Sequence, residues 1–176
     1  MLGITVKIAI IGNAGSGKST LAQSVSRHGS VAVLDLDTVY WQLGTPIERP
    51  GPERIADVKR FCREHVSWVI EGCYSDLIGA SFSWNPELIF LDPGREACIS
   101  NCRRRPLEPH KYRTKAAQDE NLEFLIRWVG GYYERTDSMS LAAHVALFEA
   151  YSGTKRRIVE QPPPNQFPEP PLRAVH

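Results

Sequence analysis

The chain has 176 residues of ordinary globular composition and a formal net charge of +1 at pH 7. That length suits about one domain around one core. The balanced charge supplies no field favouring direct nucleic-acid binding or a membrane surface, and no apolar run approaches the about 20 residues of a membrane helix.

The opening, MLGITVKIAII, lacks a basic leader and a small-residue cleavage site and reads as a first strand over Ile4–Ile11. A glycine-rich loop follows, then a helix from Lys18 to about Arg27. Ser30–Asp37 is a second strand and Gly44–Pro52 a loop. Glu53 to His65 is a polar helix with Ile55, Val58, Phe61 and Cys62 at helical spacing. Ser67–Gly72 and Glu87–Asp92 read as strands three and four, and Asp92-Pro93 opens a helix in a cap-then-proline pattern that stops near Pro106.

Arg105–Glu120 has no apolar periodicity and reads as a mobile excursion. Asn121 to about Arg135 is helical, with Leu122, Leu125, Ile126, Val129, Tyr132 and Tyr133 on one face and Gly130-Gly131 weakening its end. His144–Tyr151 reads as a fifth strand and Lys155–Glu160 as a short helix. The tail from Gln161 carries six prolines and little to bury, so it is expected to be extended or disordered. Strands alternating with helices predict an α/β fold with a parallel sheet covered on both faces. The expectation is one domain over residues 1–160 and a Pro-rich tail over 161–176. The four cysteines, Cys62, Cys73, Cys98 and Cys102, form no C-x-x-C pair, and Cys98 and Cys102, four apart on a helix, have no histidine at ligand spacing beside them. Reduced thiols and a cytoplasmic location follow.

The loop Gly12-Asn13-Ala14-Gly15-Ser16-Gly17-Lys18-Ser19 fits G-x-x-x-x-G-K-[ST] between a strand and a helix, with Thr20 next. Small residues let backbone N–H groups curl around phosphate oxygens, and the helix points its positive end at the same anion. Lys18 supplies a point charge for the β- and γ-phosphates and Ser19 a hydroxyl for Mg²⁺. ATP and Mg²⁺ are the expected cofactors. No N-K-x-D guanine-reading motif is present, which leaves a small phosphotransferase.

The segments GNAGSGKSTLA, LDLDTVYW, WVIEGCY, LIFLDPGREAC and NLEFLIRW occur in that order over roughly residues 5–150. Together they resemble the adenylate-kinase-like P-loop proteins, most closely the bacterial DNA topology modulation group, whose second signature segment usually reads W-I-I-D-G-N-Y. Here Glu71 and Cys73 replace its acid and asparagine. The resemblance implies a five-stranded parallel sheet in adenylate-kinase-like order, with a lid over about 105–120 and an acceptor segment over about 37–65. It implies γ-phosphoryl transfer from ATP-Mg²⁺ to a small acceptor, either a nucleoside monophosphate or a hydroxyl metabolite. It also implies Arg105 as the lid-hinge arginine and Arg113 as the arginine within the lid. Mobile guanidiniums closing over a phosphoryl group in flight stabilise its spread charge and exclude water.

Asp35 and Asp37 stand i, i+2 at the end of strand two and share a face if the strand continues. They resemble the D-x-D of shikimate-type kinases, in which the first acid supports Mg²⁺ and the second holds the acceptor hydroxyl; a helix cap is the alternative. Tyr40 and Trp41 form an aromatic wall or pack in the core, and Glu71 tunes Mg²⁺ waters, contacts the acceptor or forms an ion pair. Asp92 is read as a helix cap. Arg103, Arg104, Lys111, Lys115 and Arg135 are further basic candidates, and Arg49, Arg54 and Arg60 could meet an acceptor phosphate. The turn Ser152–Thr154 is a candidate reader of the adenine edge. Two rival readings stay open: a shikimate-like kinase of a non-nucleotide hydroxyl, and an ATP-binding regulator with little turnover.

Overall fold

A computed structural model describes residues 5–27, 30–107 and 113–160. The elements run β1 (Lys7–Gly12), α1 (Lys18–Ser26), β2 (Ala32–Asp35), α2 (Asp37–Tyr40), α3 (Gly51–Glu64), β3 (Trp68–Gly72), α4 (Ser75–Gly79), β4 (Glu87–Leu91), α5 (Arg95–Arg104), α6 (Lys115–Glu120), α7 (Leu122–Gly130), α8 (Leu141–Ala150) and β5 (Lys155–Ile158). The strands form one sheet in the order β2-β3-β1-β4-β5, parallel at every pairing. Such a sheet is buried on both faces and its central strands read as near-continuous apolar runs. Alternation along β1 sends Ile8 and Ile10 toward α1 with Leu21, Ala22 and Val25. Ala9 and Ile11 point the other way, into a core shared with α3, α4 and α8. The sheet thus lies between helical layers, as the alternation of elements predicts.

Two elements exchange character relative to the sequence reading. His144–Tyr151 is not a strand: it belongs to helix α8, whose N-cap Ser140 accepts from the Ala143 N–H at 3.1 Å. Four alanines among its ten residues supply helix propensity that an all-round apolar run conceals. The fifth strand is Lys155–Ile158 instead of a short helix. Its charges are satisfied at the sheet edge: Arg156 pairs with Glu87 and Arg157 with Asp92, while the Lys155 ammonium donates to the carbonyls of Phe148 and Tyr151 at the end of α8, each at 2.7 Å.

Asp92 pairs with Arg157 and does not cap α5; that place is taken by Gly94, at φ 92. Part of the supposed excursion is helix α6, capped by Thr114, whose Oγ1 accepts from the Ala117 N–H at 3.1 Å. The turn Ser152–Thr154 precedes β5, so it lies at the sheet edge opposite the glycine loop and cannot read a base there. The helix from Asn121 ends at Gly130 and tightens into a 3₁₀ turn over Gly131–Tyr133. Lys111 and the tail from Gln161 lie outside the described residues.

Candidate functional site

The glycine loop leaves the carboxyl end of β1, the edge at which open parallel sheets bind ligands. Gly15 and Gly17 have φ of 78 and 96, which L-residues with a Cβ reach only at a cost. A Cβ on Gly15 would also stand 2.3 Å from the Cys98 carbonyl oxygen. Gly15→Ala is therefore expected to lower stability by at least about 2 kcal/mol in urea unfolding.

Asn13 is 2% exposed and its side chain is structural. Its Nδ2 donates to the Val129 carbonyl at 3.0 Å and its Oδ1 accepts from the Ala14 N–H at 2.8 Å. Asn101 Nδ2 donates to the Gly15 carbonyl at 2.8 Å. α5 and α7 thus hold the loop from behind.

The loop fits a polyphosphate. Gly17 places no side-chain cap on the amides that open α1, and no acid stands in its first turn, so the positive helix end is unopposed. Ser16 Oγ is buried with no hydrogen-bond partner. Lys18 is 7% exposed, and its ammonium donates to the Asn13 carbonyl at 2.7 Å. Burial alone would lower its pKa, but Cys73, Glu71 and Asp37 outweigh burial and Arg105, and raise it. Lys18 therefore keeps its charge inside the site.

Lys18, Ser19, Asp35, Asp37, Glu71, Cys73, Asn101, Arg104 and Arg105 line one cleft of about 710 Å³ with the loop. Asp35 and Glu71 are register partners across β2 and β3. Ser19 Oγ donates to Glu71 Oε1 at 2.7 Å. Burial, with Asp35 and Asp37 adding repulsion, raises the Glu71 pKa against the pull of Lys18 and Ser19. Among the described residues no three His, Cys, Asp or Glu side chains form a ready-made metal cage. The donor set, one hydroxyl with nearby carboxylates, suits Mg²⁺, which keeps several waters and takes few protein ligands.

β2 ends at Asp35, so the two acids do not share a continuing strand. Asp35 Oδ1 accepts the Asp37 N–H at 2.9 Å, and Asp37 opens α2. Both still face the cleft. Asp37 Oδ1 accepts from Tyr74 OH at 2.7 Å, and the Tyr74 hydroxyl oxygen in turn accepts from Trp41 Nε1 at 3.1 Å. Burial, helped by Asp37, pushes the Tyr74 phenol far up, so it remains a donor. Tyr40 stacks on Tyr74 at 4.0 Å and is buried in the core. Neither Tyr40 nor Trp41 lines the cleft.

The basic candidates divide. Arg105, at the end of α5, lines the cleft together with Arg104. Arg103 and Arg113 are exposed and outside that lining. Arg135 lies over the Trp128 ring at 3.9 Å and donates to the Trp128 and Met139 carbonyls, which makes it a brace for α7. Arg49 pairs with Asp57 at 2.7 Å, Arg60 with the same carboxylate, and Arg54 with Glu48 at 3.5 Å while covering the Tyr40 ring. Although burial opposes it, Arg49 and Arg60 hold the Asp57 carboxyl below its ordinary value.

Three contributors carried no assigned role in the sequence reading. Tyr74 closes the W-V-I-E-G-C-Y segment, and its place three residues after Glu71 was the available signal. Asn101 stands four residues before Arg105 on α5. His144 has no local signal, because its partners are distant in sequence: Tyr132 OH at 2.9 Å on Nδ1 and the Cys73 carbonyl at 2.7 Å on Nε2.

Burial lowers the His144 pKa from 6.5 to about 4, against the Cys73 hydrogen bond and with Lys18 adding to the shift. Between those values the unfolded chain binds the extra proton, so stability falls as pH drops through that window. The loss should reach roughly 3 kcal/mol below pH 4. Urea unfolding at pH 7 and 4.5 should show this slope, flattened in His144→Gln.

No family model matches the chain and no curated protein sequence matches it. Among solved structures, a sugar kinase from Janibacter sp. HTCC2649 aligns over 91% of this chain and 88% of its own, at TM-score 0.51 and 12% identity. The chain has a P-loop kinase-like fold. A gluconokinase from Sinorhizobium meliloti 1021 aligns over 90% and 85% at TM-score 0.48 and 14% identity. A shikimate kinase from Bacteroides thetaiotaomicron aligns over 69% and 76% at TM-score 0.43 and 20% identity. No helix among the described residues is long and apolar enough to cross a membrane.

Proposed function

We propose that the chain is an ATP-dependent phosphotransferase acting on a hydroxyl of a small acceptor. The observation that carries this reading is Asp37, a cleft-lining carboxylate held by Tyr74 on the same cleft as the Lys18 ammonium. A carboxylate so placed suits an acceptor whose proton must leave, and an alcohol has one. A nucleoside monophosphate presents an anionic oxygen instead and needs cations. Arg49, Arg54 and Arg60, the candidates for that task, already pair with carboxylates.

The P-loop amides and Lys18 hold the phosphates, and Ser19, with Glu71 and Asp35 near it, holds Mg²⁺. Bound ATP-Mg²⁺ supplies the γ-phosphoryl group and neutralises phosphate charge. Asp37 orients the acceptor hydroxyl and takes its proton on a carboxylate oxygen. Arg105 stabilises charge at the cleft mouth, and Arg113 is assigned with it to the lid over about 105–120, of which residues 108–112 lie outside the described residues. Kinship with the DNA topology modulation group rests on the W-V-I-E-G-C-Y and LDLDTVYW segments. Four free cysteines fit a reducing, cytoplasmic setting.

A panel of sugars, polyols, hydroxy acids and nucleoside monophosphates, assayed for ADP formation, tests this. Turnover of a hydroxyl compound is expected. Turnover of monophosphates alone sinks the hydroxyl reading, and tight ATP binding with no turnover favours a regulator.

A further inference from the structure

Gly15 rests directly on α5. A Cβ there would stand 2.3 Å from the Cys98 carbonyl oxygen and 2.8 Å from Cys102 Sγ, so no gap separates the loop from the helix. Asn101 closes the contact: its Nδ2 donates to the Gly15 carbonyl at 2.8 Å. Its Oδ1 accepts from Arg104 Nη2 at 3.1 Å. A carboxamide has one donor end and one acceptor end. Turning the donor to the Gly15 carbonyl leaves the acceptor facing the arginine, and the reverse orientation would set oxygen against oxygen.

Gly15, Asn101 and Arg104 all line the cleft that holds Lys18. Consecutive helical side chains diverge by about 100°. Arg104 is the last residue of α5, and Arg105 leaves the helix at φ −61 and ψ 127, which lets these two arginines border one cleft while Arg103 stays outside its lining. Arg104 is exposed, and an exposed arginine gives up rotamer freedom when it meets a ligand. The bond to Asn101 orders it before a ligand arrives. That bond uses one guanidinium hydrogen, and the planar fork has further donors to offer an anion.

We propose that Arg104 binds the phosphates of the nucleotide, and that Asn101 is its positioning residue, tying the guanidinium to the Gly15 carbonyl of the glycine loop. The inference rests on the nucleotide-site reading above. It gives the polyphosphate a second fixed cation beside Lys18 and makes the end of α5 the element that sets it.

The test is titration of the full chain with two probes, the Mg²⁺ complex of the β,γ-imido analogue of ATP and that of inorganic tripolyphosphate, which carries no base. Arg104→Ala is expected to weaken both about tenfold, the scale of one charge-assisted hydrogen bond. Its log-affinity should also fall less steeply with log salt concentration than that of wild type, because one ionic contact is gone. In an Asn101→Ala background the same arginine substitution is expected to cost less than about threefold, because an arginine that is no longer held contributes less. Arg104→Lys keeps the charge, but one ammonium cannot bridge Asn101 and a phosphate as the fork does, so a loss of about fivefold is expected. Unchanged affinity in Arg104→Ala overturns the proposal, as does a loss confined to the nucleotide, which would mean a contact to the base. A tenfold cost that persists without Asn101 overturns the positioning role. If Asn101→Ala does not fold, wild-type affinity in Arg104→Lys overturns that role instead. A wild-type chain that binds neither probe overturns the site reading itself.

Discussion

Lys18→Ala is expected to reduce ADP formation about 10²–10³-fold and to remove measurable Mg-ATP binding, the scale of losing one preorganised charge from an excluded site. The lysine is buried, yet Cys73, Glu71 and Asp37 raise its pKa over the cost of burial. It therefore meets an incoming phosphate as a cation. Its removal also takes away the charge that opposes the upward shift of Glu71, so the Ser19–Glu71 pair is weakened together with the phosphate site. Lys18→Met, which keeps the stem, separates the two effects: packing is preserved and only the charge is lost. Calorimetric titration with Mg-ATP reads affinity, and coupled ADP release reads turnover. Unchanged affinity in either variant contradicts the assignment of the P-loop.

Asp37→Asn is expected to lower acceptor-dependent turnover about 10²–10⁴-fold while leaving Mg-ATP affinity within about threefold. Asparagine keeps an oxygen for the Tyr74 hydroxyl, so the geometry persists and the proton acceptor does not. Tyr74→Phe should cost less, about five- to tenfold in turnover, because one hydrogen bond to Asp37 is lost and the Trp41 N–H loses its partner. Steady-state kinetics with a productive acceptor read both. Equal losses in affinity and turnover for Asp37→Asn would make Asp37 a nucleotide or metal contact and leave the acceptor without a base.

The strand–loop–helix that carries the glycine loop was legible because it is local. Twelve consecutive residues carry strand end, loop, lysine and hydroxyl, and each has a chemical reason visible in the chain. The acids at 35 and 71 were also legible as strand-end carboxylates, whereas Asp37 opens α2 through an Asx-type bond to Asp35 that was not legible. What escaped was set by tertiary partners. Lys155-Arg156-Arg157 looks like a polar helix until Glu87 and Asp92 on the neighbouring strand supply partners for its two arginines. LAAHVALFEA looks like a buried strand because its apolar residues surround the helix, so its period is hidden. Arg49, Arg54 and Arg60 looked available for an acceptor phosphate, and only the fold shows them joined to Asp57 and Glu48. His144 could be found only through contacts 12 and 71 residues away.

The fate of the terminal phosphate tests the central claim most directly. The full chain is incubated with γ-labelled ATP, Mg²⁺ and a protein-free pool of small metabolites, and the label is followed. The label is expected on an acid-stable ester of a small hydroxyl compound, and to be lost from it in both Lys18→Ala and Asp37→Asn. Label that stays on ATP, or that appears only as inorganic phosphate at a rate unaffected by Asp37→Asn, would contradict it.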